Sequence, residues 1–383
     1  MGGSPHNVKE KIHMKTHQFW YPLPTRLIAQ QPVDVRGTER MMVLHRDTCV
    51  LEHRHIADIV EYLDAKDLLV VNDTKVFPAR LLGTWSDSPG AVEVLMVSPA
   101  TDADALDAEG GRRTARPEAA PYQVTWSCMI GSGRPSREGQ VAVFGPNREL
   151  AVELVQKLEG GMWRCTFRSA RPLAELLDEF GHTPVPPYVH REGTPEEEAL
   201  DRERYQTIYA RETGSVAAPT AGLHFTSEIF AALEAKGVKR TAVTLHVGPG
   251  TFRPVKCVEI EDHHMDYEAY TVTQEAADAI NACKARGGRV VCVGSTSVRT
   301  LETVAAANGG KVVAAHGASN IFIYPPYKFA VTDAMLTNFH LPQSTLLMMV
   351  SALAGRERIL SAYALAVRAE YRFFSYGDCM LIV

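Results

Sequence analysis

The chain has 383 residues, is 45% hydrophobic and 22% charged, and carries a formal net charge of −5. That length exceeds one ordinary core, so two domains are expected, and no apolar run is long enough for a membrane span or a secretory leader. The negative charge excludes RNA binding by bulk electrostatics, so an RNA partner must meet a local basic patch. The seven cysteines include no C-x-x-C pair, which argues against a disulfide framework or cysteine zinc site and fits a reducing cytoplasm.

Residues 1–13 read as a tail, with Met14 a natural start. Arg40–Leu44 and Leu68–Val71 read as strands of a larger domain. Short β-like runs follow, separated by Gly and Pro: Ala79–Thr84, Ala91–Val97, Tyr122–Ile130, Gln140–Phe144, Leu150–Lys157 and Trp163–Phe167. Six such runs predict a small antiparallel barrel, with Thr101–Pro121 as a loop within it. After Arg171 the texture alternates. The spacing predicts helices at Thr226–Lys236, Gln274–Arg286, Val298–Ala307 and Thr345–Ala354, and strands at Thr241–Val247, Arg289–Val293, Ile321–Tyr324 and Met335–Thr337. The expected fold is a large mixed α/β, barrel-like domain (14–75 and 170–383) carrying an inserted antiparallel β-barrel domain (76–169).

Polar clusters fall after strands or before helices, where α/β folds place their sites. Pro219–Thr226 contains His224 and Phe225. Leu245–Arg253 contains His246, on the polar face of a strand with Thr244. A histidine there suits proton transfer, with a hydrogen-bonded structural role as the alternative. Val293–Arg299 joins a strand to a helix start through small residues, and its N–H groups favour an anion or simply a capped helix. It is neither a Walker A loop nor a dinucleotide fingerprint. Thr337–Pro342 brings Asn338, Phe339 and His340 together. His263 and His264 sit in an acidic loop whose spacing does not match a zinc motif, leaving metal, a solvated loop and other chemistry open.

Seven runs, taken in order, resemble one family: Tyr21–Pro24, Val71–Val76, Tyr205–Thr207, Ala217–Phe225, Leu245–Val255, Thr337–Pro342 and Tyr371–Asp378. The chain is identified by them as similar to the S-adenosylmethionine:tRNA ribosyltransferase-isomerases. The resemblance implies transfer and isomerisation of the ribosyl group of S-adenosylmethionine onto 7-aminomethyl-7-deazaguanine at the tRNA wobble position. Adenine and methionine leave, and epoxyqueuosine results. It implies no metal and no cofactor, since S-adenosylmethionine is a substrate and its sulfonium acidifies the ribose. Expected partners are tRNA and S-adenosylmethionine, with the protein a cytoplasmic monomer.

Under this resemblance His246 is the first choice of base, with His224, His340 and His264 as the other catalytic candidates. Phe225, Phe339 or Phe374 would form the adenine slot. Ser295, Thr296, Ser297 and Arg299 would cradle the methionine carboxylate. Asn338, Arg253, Arg372 and Asp378 would hold polar groups of the nucleoside. Arg202, Arg204, Arg253 and Lys256 would supply the RNA patch. The run Asp266-Tyr267-Glu268 departs from the family's usual His-Ser-Glu. Rival readings are a metallohydrolase at His263 and His264, a non-catalytic RNA-binding module, and a simple methyltransferase. The last is disfavoured by the lack of a glycine-rich loop after a first strand.

Overall fold

The structure is a computed structural model that describes residues 14–100, 122–252 and 255–383. The expected tail Met1–His13, the loop Thr101–Pro121 and Arg253 lie outside the described residues. The chain begins with β1 (Arg40–Leu44), β2 (Leu51–His55), the single-turn α1 (Ile59–Tyr62), β3 (Leu68–Asn72) and β4 (Thr74–Val76). Next come β5 (Arg80–Trp85), β6 (Ala91–Pro99), β7 (Tyr122–Ser132), β8 (Val141–Phe144), β9 (Leu150–Lys157) and β10 (Met162–Ser169). These six close into an antiparallel barrel in the order β10-β7-β6-β5-β8-β9.

Alternation builds the barrel. Val92, Val94 and Met96 of β6 and Leu150, Val152 and Leu154 of β9 point inward, with more exposed residues between them. Gly83 lets β5 approach β8 closely, because a Cβ there would lie 2.4 Å from the Val143 carbonyl oxygen. One end is sealed by α2 (Leu173–Phe180), whose Leu173, Leu176 and Leu177 join the barrel core.

Beyond it lie α3 (Pro195–Arg204), β11 (Glu212–Ser215), α4 (Ser227–Ala235), β12 (Lys239–Leu245), β13 (Glu268–Val272) and α5 (Gln274–Ala285). The last stretch holds β14 (Val290–Val293), α6 (Gly294–Ala307), β15 (Ala315–Ser319), β16 (Ala334–Asn338), α7 (Thr345–Ala354), α8 (Arg356–Arg368) and β17 (Cys379–Ile382). Nine strands form one mixed sheet, ordered β15-β13-β12-β3-β14-β16-β17-β1-β2, while β4 and β11 pair as a short parallel ribbon.

Strand β3 is buried throughout, and its side chains feed two cores. Leu68 and Val70 join the core beneath α5 to α8, whereas Leu69 and Val71 join the one containing Ile59, Ile229 and Leu233. A near-continuous apolar run is what a parallel strand covered on both faces requires. Four neighbours, β12, β3, β14 and β16, run parallel, so their carboxyl ends open on one edge.

Several boundaries differ from the sequence expectation for identifiable reasons. Helix α6 starts four residues early, because Gly294 takes φ +81° and turns the chain straight from β14 into the helix. The strand expected at Ile321–Tyr324 forms instead at Ala315–Ser319, where the backbone pairs with β13. The apolar run after it forms no strand and packs Ile323 into the core and Phe322 against Tyr324. Strand β12 ends at Leu245, which places His246 one residue beyond it.

Candidate active site

A cleft opens at the shared carboxyl edge. Its floor is the turn from β14 into α6, its sides are Pro219–Ala221 and Thr337–Pro342, and Tyr188, Phe374 and Ser375 close it. Phe374 takes φ +75° and packs on Tyr188 with ring centroids 4.3 Å apart. Phe339 contributes from the β16 end, although most of its ring is locked against Tyr363, Tyr371 and Phe373. The result is an aromatic wall facing a helix amino terminus.

That terminus has no side-chain cap, since Val293 occupies the N-cap position. The first-turn N–H groups of a helix lack intrahelical acceptors and carry its positive dipole end. Thr296 lines the cleft, is 5% exposed, and its hydroxyl has no hydrogen-bond partner. A buried hydroxyl in that state is satisfied best by a ligand atom. Ser295 also lines the cleft, while Ser297 is turned away and bonds the Val293 carbonyl at 2.9 Å.

Arg299 is placed elsewhere than the sequence suggested. Its guanidinium is buried against the Glu268 carboxylate and approaches the Ser319 carbonyl. The other Glu268 oxygen accepts the Gly248 N–H at 2.9 Å. Arg299 therefore fastens β13 and, through Glu268, the loop after β12 to α6 rather than reaching the cleft.

The histidines occupy distinct settings. His246 is half-buried, with Nδ1 2.8 Å from the Thr74 hydroxyl. That hydroxyl also lies 3.5 Å from the Glu212 carbonyl oxygen, and the tautomer in which Nδ1–H donates to Thr74 leaves Nε2 unprotonated. Burial lowers the His246 pKa, partly opposed by Glu212, so the ring is neutral at pH 7. Gly214 makes room for it, since a Cβ there would sit 2.8 Å from the ring. His246 is not among the cleft-lining residues; its neighbour Val247 is. Asn72 sets this end of β12, donating to the Leu245 carbonyl and accepting the Leu245 N–H.

His340 lines the cleft and bonds the Thr337 hydroxyl at 2.9 Å. Burial pulls its pKa down to about 3, far from the range in which proton transfer is efficient at neutral pH. His224 is buried behind the cleft, between Asn338 and Glu39. His264 is exposed on its loop, and His263 packs on Phe322. Among the described residues no group of three or more His, Cys, Asp or Glu forms a metal-binding cluster.

Other sequence candidates have structural partners. Phe225 stacks on Phe230 in the core rather than in the cleft. Asp378 accepts the backbone N–H groups of Arg40 and Arg372, and the Arg372 guanidinium bonds the Gln31 carbonyl. Arg202 bonds the carbonyls of Asp178 and Gly181, and Arg204 that of Val33. Lys256 is exposed. Sequence reasoning missed Tyr188, Glu39, Thr74 and Ser375. Thr74 and Ser375 stood inside recognisable runs, whereas Tyr188 and Glu39 had no local signal.

An open mixed sheet with a polar and aromatic cleft at its parallel strand ends, joined to a closed β-barrel, defines an enzyme of the α/β class. The family described as queuosine biosynthesis protein matches residues 16–382. The chain is 46% identical over 370 residues to the S-adenosylmethionine:tRNA ribosyltransferase-isomerase of Caldanaerobacter subterraneus subsp. tengcongensis, covering 97% of this chain and 100% of that one. It is 45% identical over 369 residues to the protein of that name from Acetivibrio thermocellus, covering 96% and 100%. The crystal structure of S-adenosylmethionine tRNA ribosyltransferase from Thermotoga maritima superposes with a TM-score of 0.51 at 34% identity, covering 96% of this chain and 100% of that one. The chain belongs to the queuosine biosynthesis family of S-adenosylmethionine:tRNA ribosyltransferase-isomerases.

Proposed function

We propose that this protein transfers and isomerises the ribosyl group of S-adenosylmethionine onto 7-aminomethyl-7-deazaguanine at the tRNA wobble position, releasing adenine and methionine. One observation carries the reading: in a chain of this family, a single cleft opposes an aromatic wall to an uncapped helix terminus bearing the unpartnered Thr296 hydroxyl. Adenine stacks on Tyr188 and Phe374, and the methionine carboxylate meets the first-turn N–H groups of α6 and Thr296. His246, whose neighbour Val247 lines the cleft, is the base that removes the ribose proton next to the sulfonium, acting through the tautomer with Nε2 unprotonated. Residues 14–75 and 170–383 form the catalytic part, and 76–169 the inserted barrel. The protein is incubated with S-adenosylmethionine and tRNA carrying the deazaguanine base, and the small products are separated by chromatography. Equal release of adenine and methionine is expected, and S-adenosylhomocysteine in their place would overturn the proposal.

A further inference from the structure

Glu39 precedes β1 and belongs to none of the runs that carry the resemblance, yet it is 6% exposed. One carboxylate oxygen accepts the Gly37 N–H at 2.8 Å, and the other lies 3.5 Å from His224 Nδ1, an ion-pair approach only, since Nδ1 makes no hydrogen bond. Burial pushes this carboxyl up, but His224 and the Gly37 N–H outweigh it and hold it below its ordinary value. His224 is 1% exposed, and its Nε2 lies 3.2 Å from Asn338 Oδ1. The Asn338 amide nitrogen donates to the carbonyls of Phe374, at 2.8 Å, and Ser375, at 3.2 Å. With both amide protons so engaged, the carboxamide has one orientation, and its oxygen must face the imidazole.

His224 faces an acceptor on each side, so it serves both only with a proton on each ring nitrogen, and Glu39 is then its buried counter-ion. What this row of three groups fixes is Asn338, which alone of them lines the cleft. A carboxamide oxygen has two lone pairs, and His224 takes one. The remaining lone pair belongs to a rigid acceptor beside Phe374, whose carbonyl holds the same amide and whose ring forms the aromatic wall.

We propose that Asn338 Oδ1 reads the exocyclic amine of the adenine stacked on that wall, with His224 and Glu39 as positioning residues that hold it. The identity of the base rests on the ribosyl-transfer reading above; the rigid acceptor does not. A fixed acceptor rejects an analogue whose amine is replaced by a carbonyl, because two oxygens then face each other.

The test uses the whole protein without tRNA, by titration calorimetry with S-adenosylhomocysteine and its 6-oxo counterpart, S-inosylhomocysteine. The wild type should favour the amine by roughly 10–100-fold, the range for one buried hydrogen bond made or left unmade. Asn338→Leu should bring the two affinities within about threefold, and Glu39→Gln should lower the ratio part of the way. Equal affinities in the wild type, which need no variant, overturn the proposal, as does an unchanged ratio in folded Asn338→Leu. A Glu39→Gln protein that loses affinity for both ligands equally removes Glu39 from the positioning role. Failure of the wild type to bind either ligand overturns the Asn338 assignment too, and the ribosyl-transfer reading is tested separately by the release of adenine and methionine. Adenine and methionine release with no selectivity overturns only the Asn338 assignment.

Discussion

Replacing Arg299 by methionine keeps much of the side-chain volume and removes the charge. The pair it forms with Glu268 is buried, with side chains 3% and 5% exposed. After the substitution the Glu268 carboxylate keeps the Gly248 N–H at 2.9 Å but loses the Arg299 guanidinium. Removing one partner of a buried pair costs about 3–5 kcal/mol, because the surviving charge stays desolvated. At ~2–4 °C per kcal/mol, the scale for domains of 150–250 residues, the melting temperature should fall on the order of 10 °C. The double variant Arg299→Met with Glu268→Gln should recover roughly 1–3 kcal/mol of that loss, since the desolvated carboxylate that Arg299 faced is then neutral. Urea unfolding followed by circular dichroism measures all three proteins, and calorimetry with S-adenosylmethionine supplies the second reading. An Arg299→Met protein as stable as the wild type but with weakened S-adenosylmethionine binding would refute the reasoning and return Arg299 to the cleft.

Thr296→Val removes the hydroxyl without its shape; S-adenosylmethionine affinity should fall about 10-fold while the melting temperature holds or rises, because an unsatisfied polar atom is lost. For His340, the folded pKa of about 3 lies below the unfolded value of ~6.5, so its stabilising contribution is complete above pH 6.5 and drains away as pH falls toward 3. Between pH 7 and 4.5 the wild type should lose roughly 2–3 kcal/mol through this group, a loss absent from His340→Gln in parallel denaturation curves. His246→Ala should retain its fold and S-adenosylmethionine binding but lose about 10²–10⁴-fold in turnover. A variant that melts early yet turns over normally per folded molecule would make His246 structural. Lys256→Gln should weaken tRNA binding and reduce its salt slope by about 1, and an unchanged slope places the phosphate contacts elsewhere.

The barrel was legible because period-2 alternation survives in strands such as β6, where Val92, Val94 and Met96 are separated by more exposed residues. Helix α7 coincided with its expected limits, Ser344 capping it by accepting the Leu347 N–H. Edge strands were harder. Strand β15, Ala-His-Gly-Ala-Ser, has no apolar signal, and only its pairing with β13 makes it a strand. Site residues divided in the same manner. Thr296, Asn338 and Phe339 line the cleft, and a strand end or helix start advertises such positions locally. Arg299 and Phe225 are not among the cleft-lining residues, because the side of the helix or loop on which a residue emerges depends on tertiary packing. Tyr188 and Glu39 come from irregular segments, joined to the site only by a fold that brings residues 39, 188, 224 and 338 together.

In the proposed reaction the ribosyl group, not the methyl group, moves from S-adenosylmethionine to the RNA. Two samples of S-adenosylmethionine, one labelled in the ribose and one in the methyl group, are incubated separately with the protein and tRNA bearing the deazaguanine base. Counting the recovered RNA should show ribose label incorporated and methyl label absent, the latter remaining with free methionine. Methyl label in the RNA, with ribose label left in S-adenosylhomocysteine, would contradict the account.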